Sequence, residues 1–91
     1  MHSTEIARVN FSHTRFREGY RAAEVDTFME NIRQALAFWE AGRPGPLTAE
    51  VVDKARFAPI KFRAGYDEHQ VDNFLDDVIG TLKAYEAAQQ R

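Results

Sequence analysis

The stretch FREGYRAAEVDTF, residues 16–28, is written again as FRAGYDEHQVDNF at residues 62–74. Carrying the same offset of 46 outward pairs residues 4–41 with 50–87, and eleven of those 38 columns are identical. They are Phe11, Phe16, Arg17, Gly19, Tyr20, Val25, Asp26, Phe28, Leu36, Glu40 and Ala41 with their counterparts. This tandem repeat is the strongest constraint on the fold. A unit of about 46 residues is too small to close a hydrophobic core alone, so it must bury its apolar face against a neighbour. Either the two halves fold onto each other or two chains fold together.

Composition narrows the class. With 44% hydrophobic and 29% charged residues the chain reads as one soluble globular unit rather than a disordered tail. Its uncharged runs are far shorter than the roughly 20 residues of a membrane span. No charged start followed by an apolar stretch opens the chain, so secretion is not expected. Without cysteine there are no disulfides, thiol chemistry or Cys-based zinc sites, and a cytoplasmic location is expected. A net charge of −2 gives no reason to expect a nucleic-acid partner. The distribution of charge says more. Residues 8–17 hold three basic side chains and no acid, residues 54–63 hold four and no acid, and the acids crowd in after Gly19 and Gly65.

Periodicity predicts the elements. Val25, Met29, Ile32, Leu36 and Trp39 step by four, three, four and three, and Val71, Leu75, Val78, Leu82 and Tyr85 repeat those steps. That is an a/d seam, so these ten residues are the expected core or dimer seam. Asp67 with Gln70 can form a capping box, whereas Arg21 stands at the cap position of the first repeat and weakens that start. Gly19 and Gly65 are expected to hold a backbone angle that a Cβ would resist. Thr48 is a plausible cap for a short helix over LTAEVVDKA, of which STEIARV is the poorer copy. Gly42, Pro44 and Pro46 end the first repeat. The predicted fold is therefore all-α: two short-helix, loop, long-helix repeats whose long helices pair through coiled-coil-like seams.

Phe-Arg, Gly-Tyr, Val-Asp and Phe in this order resemble the N-terminal domain of DivIVA-type bacterial cell-division and polarity proteins, including the related GpsB proteins. FRAGYDEHQVDNFLDDV is the stronger match. The resemblance implies two DivIVA-like repeats, 1–45 and 46–91, each with a short helix, a loop and a long helix that pairs in parallel with a copy of itself. It further implies a loop that inserts a phenylalanine into the membrane and grips it with an arginine. By position these are Phe16 and Arg17, and Phe62 and Arg63. With Arg15 and Lys61 beside them they form the candidate membrane-binding set, most simply for an anionic membrane surface. Avidity between such tips gives duplication a physical point.

An adaptor of the GpsB sort is the alternative. It would take basic cytosolic tails of membrane enzymes, and its candidate contacts are Tyr20, Asp26, Tyr66, Glu68 and Asp72. The partners expected on the two readings are cell-division or cell-wall-synthesis proteins. Asp26 and Asp72 also fall in the first helical turn, where each can hold a loop arginine. Catalysis has no support: His2, His13 and His69 are not repeated and lack metal-ligand spacing. Adjacent Asp76 and Asp77 point about 100° apart, and no phosphate loop, nucleophile or cofactor motif is present. Self-association as a homodimer is expected from the linker. Parallel long helices within one chain require a return of about 28 Å, and residues 41–47 span at most about 25 Å. The short helix from Thr48 closes that gap only by running backward.

Overall fold

In a computed structural model that describes residues 1–89, the chain runs α1 (Ser3–Ile6), β1 (Glu18–Arg21), α2 (Ala22–Glu40), α3 (Ala49–Lys54), β2 (Pro59–Lys61), a 3-10 turn (Phe62–Ala64), β3 (Gly65–Tyr66) and α4 (Glu68–Gln89). The helical signals act locally. The Thr48 hydroxyl accepts from the Val51 amide at 3.3 Å and starts α3. Asp67 accepts from the Gln70 amide at 3.0 Å and starts α4, while Arg21 gives α2 no side-chain cap. Gly42, at φ 79°, ends α2 in the left-handed conformation. There the Arg43 amide bonds Phe38 O and the Gly42 amide bonds Trp39 O, each at 3.0 Å, closing the free carbonyls of the last turn.

The expected all-α fold is corrected by three strands. β1 is the central strand of an antiparallel sheet of order β2-β1-β3, with Gly19 opposite Ile60 and Tyr20 opposite Tyr66. None of these strands has a partner within its own half. They form because each loop lies across the other half: the Arg21 amide bonds Ala58 O at 2.9 Å, and the equivalent Asp67 amide bonds Ser12 O at 2.8 Å. Pro59, without an amide hydrogen, is tolerated as the first residue of an edge strand. The sequence repeat is thus folded as two interlocked halves related by an approximate two-fold axis, not as successive modules.

The coiled coil is corrected as well. Each long helix packs most closely on the short helix of its own half, α2 on α1 and α4 on α3, because a short antiparallel helix covers part of the stripe that a coiled-coil partner would fill. Glu40 accepts from the Ser3 hydroxyl at 2.7 Å and from the Ser3 amide at 2.6 Å, locking the start of α1 to the end of α2. Burial opposes ionisation of Glu40, yet these two bonds hold its carboxyl below the usual range. Glu86 repeats the arrangement, accepting from the Ala49 amide at 3.4 Å.

The long helices nevertheless run parallel. Tyr20 and Tyr66 pair at their starts, and Trp39 stacks on Tyr85 near their ends, ring centres 5.8 Å apart. Of the ten seam residues, Val25, Ile32, Leu36, Trp39, Val71, Leu75, Val78 and Leu82 are buried in one core, and Met29 and Tyr85 pack against it half-buried. Each fully buried aliphatic among them contributes about 1.5–3 kcal/mol. The seam therefore closes within a single chain. The backward return is made by the linker, which crosses Trp39 at Gly45, then by α3 and residues 55–58.

Candidate functional site

β1 leads directly into α2 and β3 into α4, so the sheet sits at the N-terminal ends of both long helices and the loops before them form a tip. Glu18 opposite Lys61, with an isolated bridge between His13 and Tyr66, sets the loop at 14–17 beside the loop at 61–64. Thr14 holds the two together from inside. It is 3% exposed; its amide donates to Gly65 O at 2.9 Å and its hydroxyl to Phe62 O at 2.8 Å. Thr14 escapes sequence reasoning because it is not repeated, its counterpart being Ile60; the only signal was a small hydroxyl residue amid a basic loop.

All six candidate membrane-binding residues come together here and all are exposed. Phe16 is 89% exposed and Phe62 61% exposed, so neither ring caps the core. Phe62 also has φ 64°, a conformation that a bulky side chain adopts only at a cost. Arg17 is the exception among the cations. It pairs with Asp67, whose carboxyl is held below the usual carboxylate range by the Gln70 amide and then by Arg17, against the opposing effect of burial. Arg15, Lys61 and Arg63 have no carboxylate partner among the described residues.

The candidate partner-binding residues lie just behind the tip. The Tyr66 hydroxyl donates to Asp26 and the Tyr20 hydroxyl to Asp72, each at 2.7 Å. Asp26 and Asp72 lie one turn further in than expected, the first-turn acids being Glu24 and Glu68, and they hold the tyrosine of the other half where a loop arginine was expected; the arginine is held by Asp67. Partial burial, and then the aspartate hydrogen bond, push both phenols up to about 12. The half-exposed Glu68 adds its charge beside Tyr20. Beside the Tyr66–Asp26 pair is a cavity of about 280 Å³ lined by Phe11, Met29, Glu30 and Arg33 among others. The equivalent cavity at Tyr20–Asp72 is about 130 Å³ and includes Arg56 in its lining.

The glycines at the centre act through close approach. A Cβ on Gly19 would lie 2.3 Å from Tyr66 O, and one on Gly65 would lie 2.9 Å from both Ile60 O and the Thr14 hydroxyl. Neither has the positive φ that the sequence suggested. The capping box is half-formed for a related reason: Gln70 accepts from the Ser12 amide at 2.7 Å instead of bonding its own cap amide, and Glu24 treats Ala58 likewise at 3.3 Å.

Among the described residues, no group of three or more His, Asp or Glu side chains could hold a metal ion, and no helix is long and apolar enough to cross a membrane. No family model matches the chain, and no curated protein or solved structure is significantly similar to it.

Proposed function

We propose that the chain is a non-enzymatic, DivIVA-like scaffold or adaptor of bacterial cell division or polar growth that lies at the cytoplasmic face of the membrane and binds it through the Phe16–Phe62 tip. The observation that carries this reading is the pair of exposed phenyl rings at one end of the molecule, one of them in a left-handed conformation, surrounded by Arg15, Lys61 and Arg63, which have no carboxylate partner among the described residues. A ring buried in the interface is worth a couple of kcal/mol, roughly, and each adjacent cation adds about 1 kcal/mol on anionic lipid. Two rings on one rigid body act together. Co-sedimentation with anionic vesicles tests the reading. Binding that is lost in the Phe16→Ala, Phe62→Ala double variant while its melting is unchanged supports it, and absence of binding at low salt overturns it.

A second reading, a soluble GpsB-like adaptor that takes basic cytosolic tails without lipid contact, is favoured by one feature. The cavity beside Asp26 opens between α1 and α2 and is walled by Tyr66 and by Glu30, whose carboxylate Arg33 engages from the same wall, which leaves Asp26 as the acid facing a tail. Saturable binding of an Arg-rich tail peptide, lost in Asp26→Asn, with no vesicle binding, would select it. Self-association on either reading would use a surface other than the seam, and sedimentation equilibrium measures it directly.

A further inference from the structure

The tip departs from the two-fold relation between the halves. On one side Ser12, His13, Arg15 and Arg63 line a cleft of about 480 Å³. Their counterparts by the offset of 46 are Ala58, Pro59, Lys61 and Arg17. That side offers no hydroxyl and no imidazole, and its single guanidinium is engaged by Asp67. Two guanidinium groups free of carboxylates among the described residues, one hydroxyl and one imidazole therefore meet on one side only.

The cleft is built from two loops about fifty residues apart, whose backbones are joined by hydrogen bonds. His13 Nδ1 donates to the Arg63 carbonyl at 2.6 Å, and the two Thr14 bonds to Phe62 O and Gly65 O run alongside it. The His13 ring rests on Tyr66, ring centres 5.0 Å apart. His13 is thus a positioning residue that sets the Arg63 backbone against the loop that carries Arg15. Ser12 Oγ accepts from Gln70 Nε2 at 3.2 Å, which leaves its own hydroxyl hydrogen to donate into the cleft. No acidic residue lines the cleft. Paired guanidinium forks match the tetrahedral, multiply charged face of phosphate better than point charges do, and backbones joined before binding lower the ordering cost.

We propose that this cleft binds one phosphomonoester group per chain, with Arg15, Arg63 and the Ser12 hydroxyl as its direct contacts. The inference rests on reading the tip as the membrane-facing end, and its test separates the two. The full-length chain is labelled with nitrogen-15 and titrated with inorganic phosphate at constant ionic strength, so that general screening stays fixed. Expected are saturable amide shifts confined to residues 12–15 and 62–65, weakened about tenfold or more by Arg15→Gln or Arg63→Gln and barely changed by Lys61→Gln. The same spectra report whether each variant is folded. Shifts that grow without saturation, or an equal loss on Lys61→Gln, would show diffuse charge and overturn the cleft.

A second arm identifies the source of the group. Phosphatidylcholine vesicles carrying phosphatidate are compared with vesicles matched in surface charge by phosphatidylglycerol. Displacement of bound phosphate by the phosphatidate vesicles alone assigns the site to a lipid headgroup, and saturable phosphate binding without displacement assigns it to a soluble phosphate ester; each supports the cleft. If neither vesicle binds while phosphate still saturates, the membrane reading fails and the cleft stands.

Discussion

Tyr66 donates its hydroxyl hydrogen to Asp26 across the boundary between the halves, and Tyr20 does the same to Asp72. Both phenols are raised to about 12 from an ordinary value of 10.0. A folded-state value above the unfolded one stabilises the fold while pH is below the unfolded value, and that stability is lost as pH rises through the folded value. These two phenols are therefore expected to leave stability unchanged from neutral pH to about pH 10 and to lower it between 10 and 12, which chemical denaturation at a series of pH values measures. Asp26→Asn should bring the Tyr66 phenolate absorbance transition part of the way back toward normal, since burial, the larger cause, remains.

Gly19 and Gly80 should respond oppositely to alanine. At Gly19 the new Cβ meets a backbone carbonyl at 2.3 Å in the middle of the sheet, so a loss of about 3 kcal/mol or more is expected. Gly80 lies exposed inside α4 with nothing within 4 Å, and Gly80→Ala should gain about 0.5–1 kcal/mol from helix propensity alone. Denaturation midpoints measure both, and a neutral Gly19→Ala would contradict the close crossing of the strands.

Leu36 and Leu82 are fully buried equivalents. Leu36→Ala and Leu82→Ala should each cost about 2–5 kcal/mol, a large part of the stability of a domain this size. A loss below about 0.5 kcal/mol at both sites, the range of ordinary surface substitutions, would remove the shared core.

Phe62→Gly should separate stability from binding. It removes a bulky residue from φ 64°, relieving on the order of 1 kcal/mol of strain, and it removes one of the two exposed rings. Thermal melting is expected to rise while affinity for anionic vesicles falls, the trade expected at a functional position.

Neither half should fold alone as a monomer, because every strand takes its partner from the other half. Residues 1–45 and 46–91 expressed separately should lack cooperative melting at micromolar concentration and recover helicity on mixing, which circular dichroism follows. A cooperative melt of either half by itself would contradict the interlock.

What the sequence made legible follows the range of the interactions. The long helices are written in consecutive turns of the chain, and Thr48 and Asp67 cap as their chemistry requires, since those bonds are local. The strands are two to four residues long, too short for an alternating pattern, and they exist only where a segment about forty residues away arrives to pair. The same distance governs Gly19, which is small because a carbonyl from Tyr66 crosses it and not because of its backbone angle, and Asp26, whose partner is a tyrosine of the other half instead of a loop arginine. The exposure of Phe16 and Phe62 was not legible from the residues alone, because a loop aromatic belongs to the core as readily as to a tip, and their placement came from the DivIVA resemblance together with the cations around them. The free state of Arg63 was not legible either, because it depends on what faces it across the fold.

That last point turns on the cap position. Arg17 finds Asp67, but the counterpart of Asp67 is Arg21, which pairs at 3.3 Å with Glu24 in the first turn of α2 and offers Arg63 no carboxylate. In an assembly of two identical chains such a contact is made twice or not at all, since every side chain is present in duplicate. Joining the copies covalently lets a single replacement act on one of them. One arginine serves as a latch between the halves while its twin stays available to solvent, so the fused chain can give its two like tips different tasks without a second gene product.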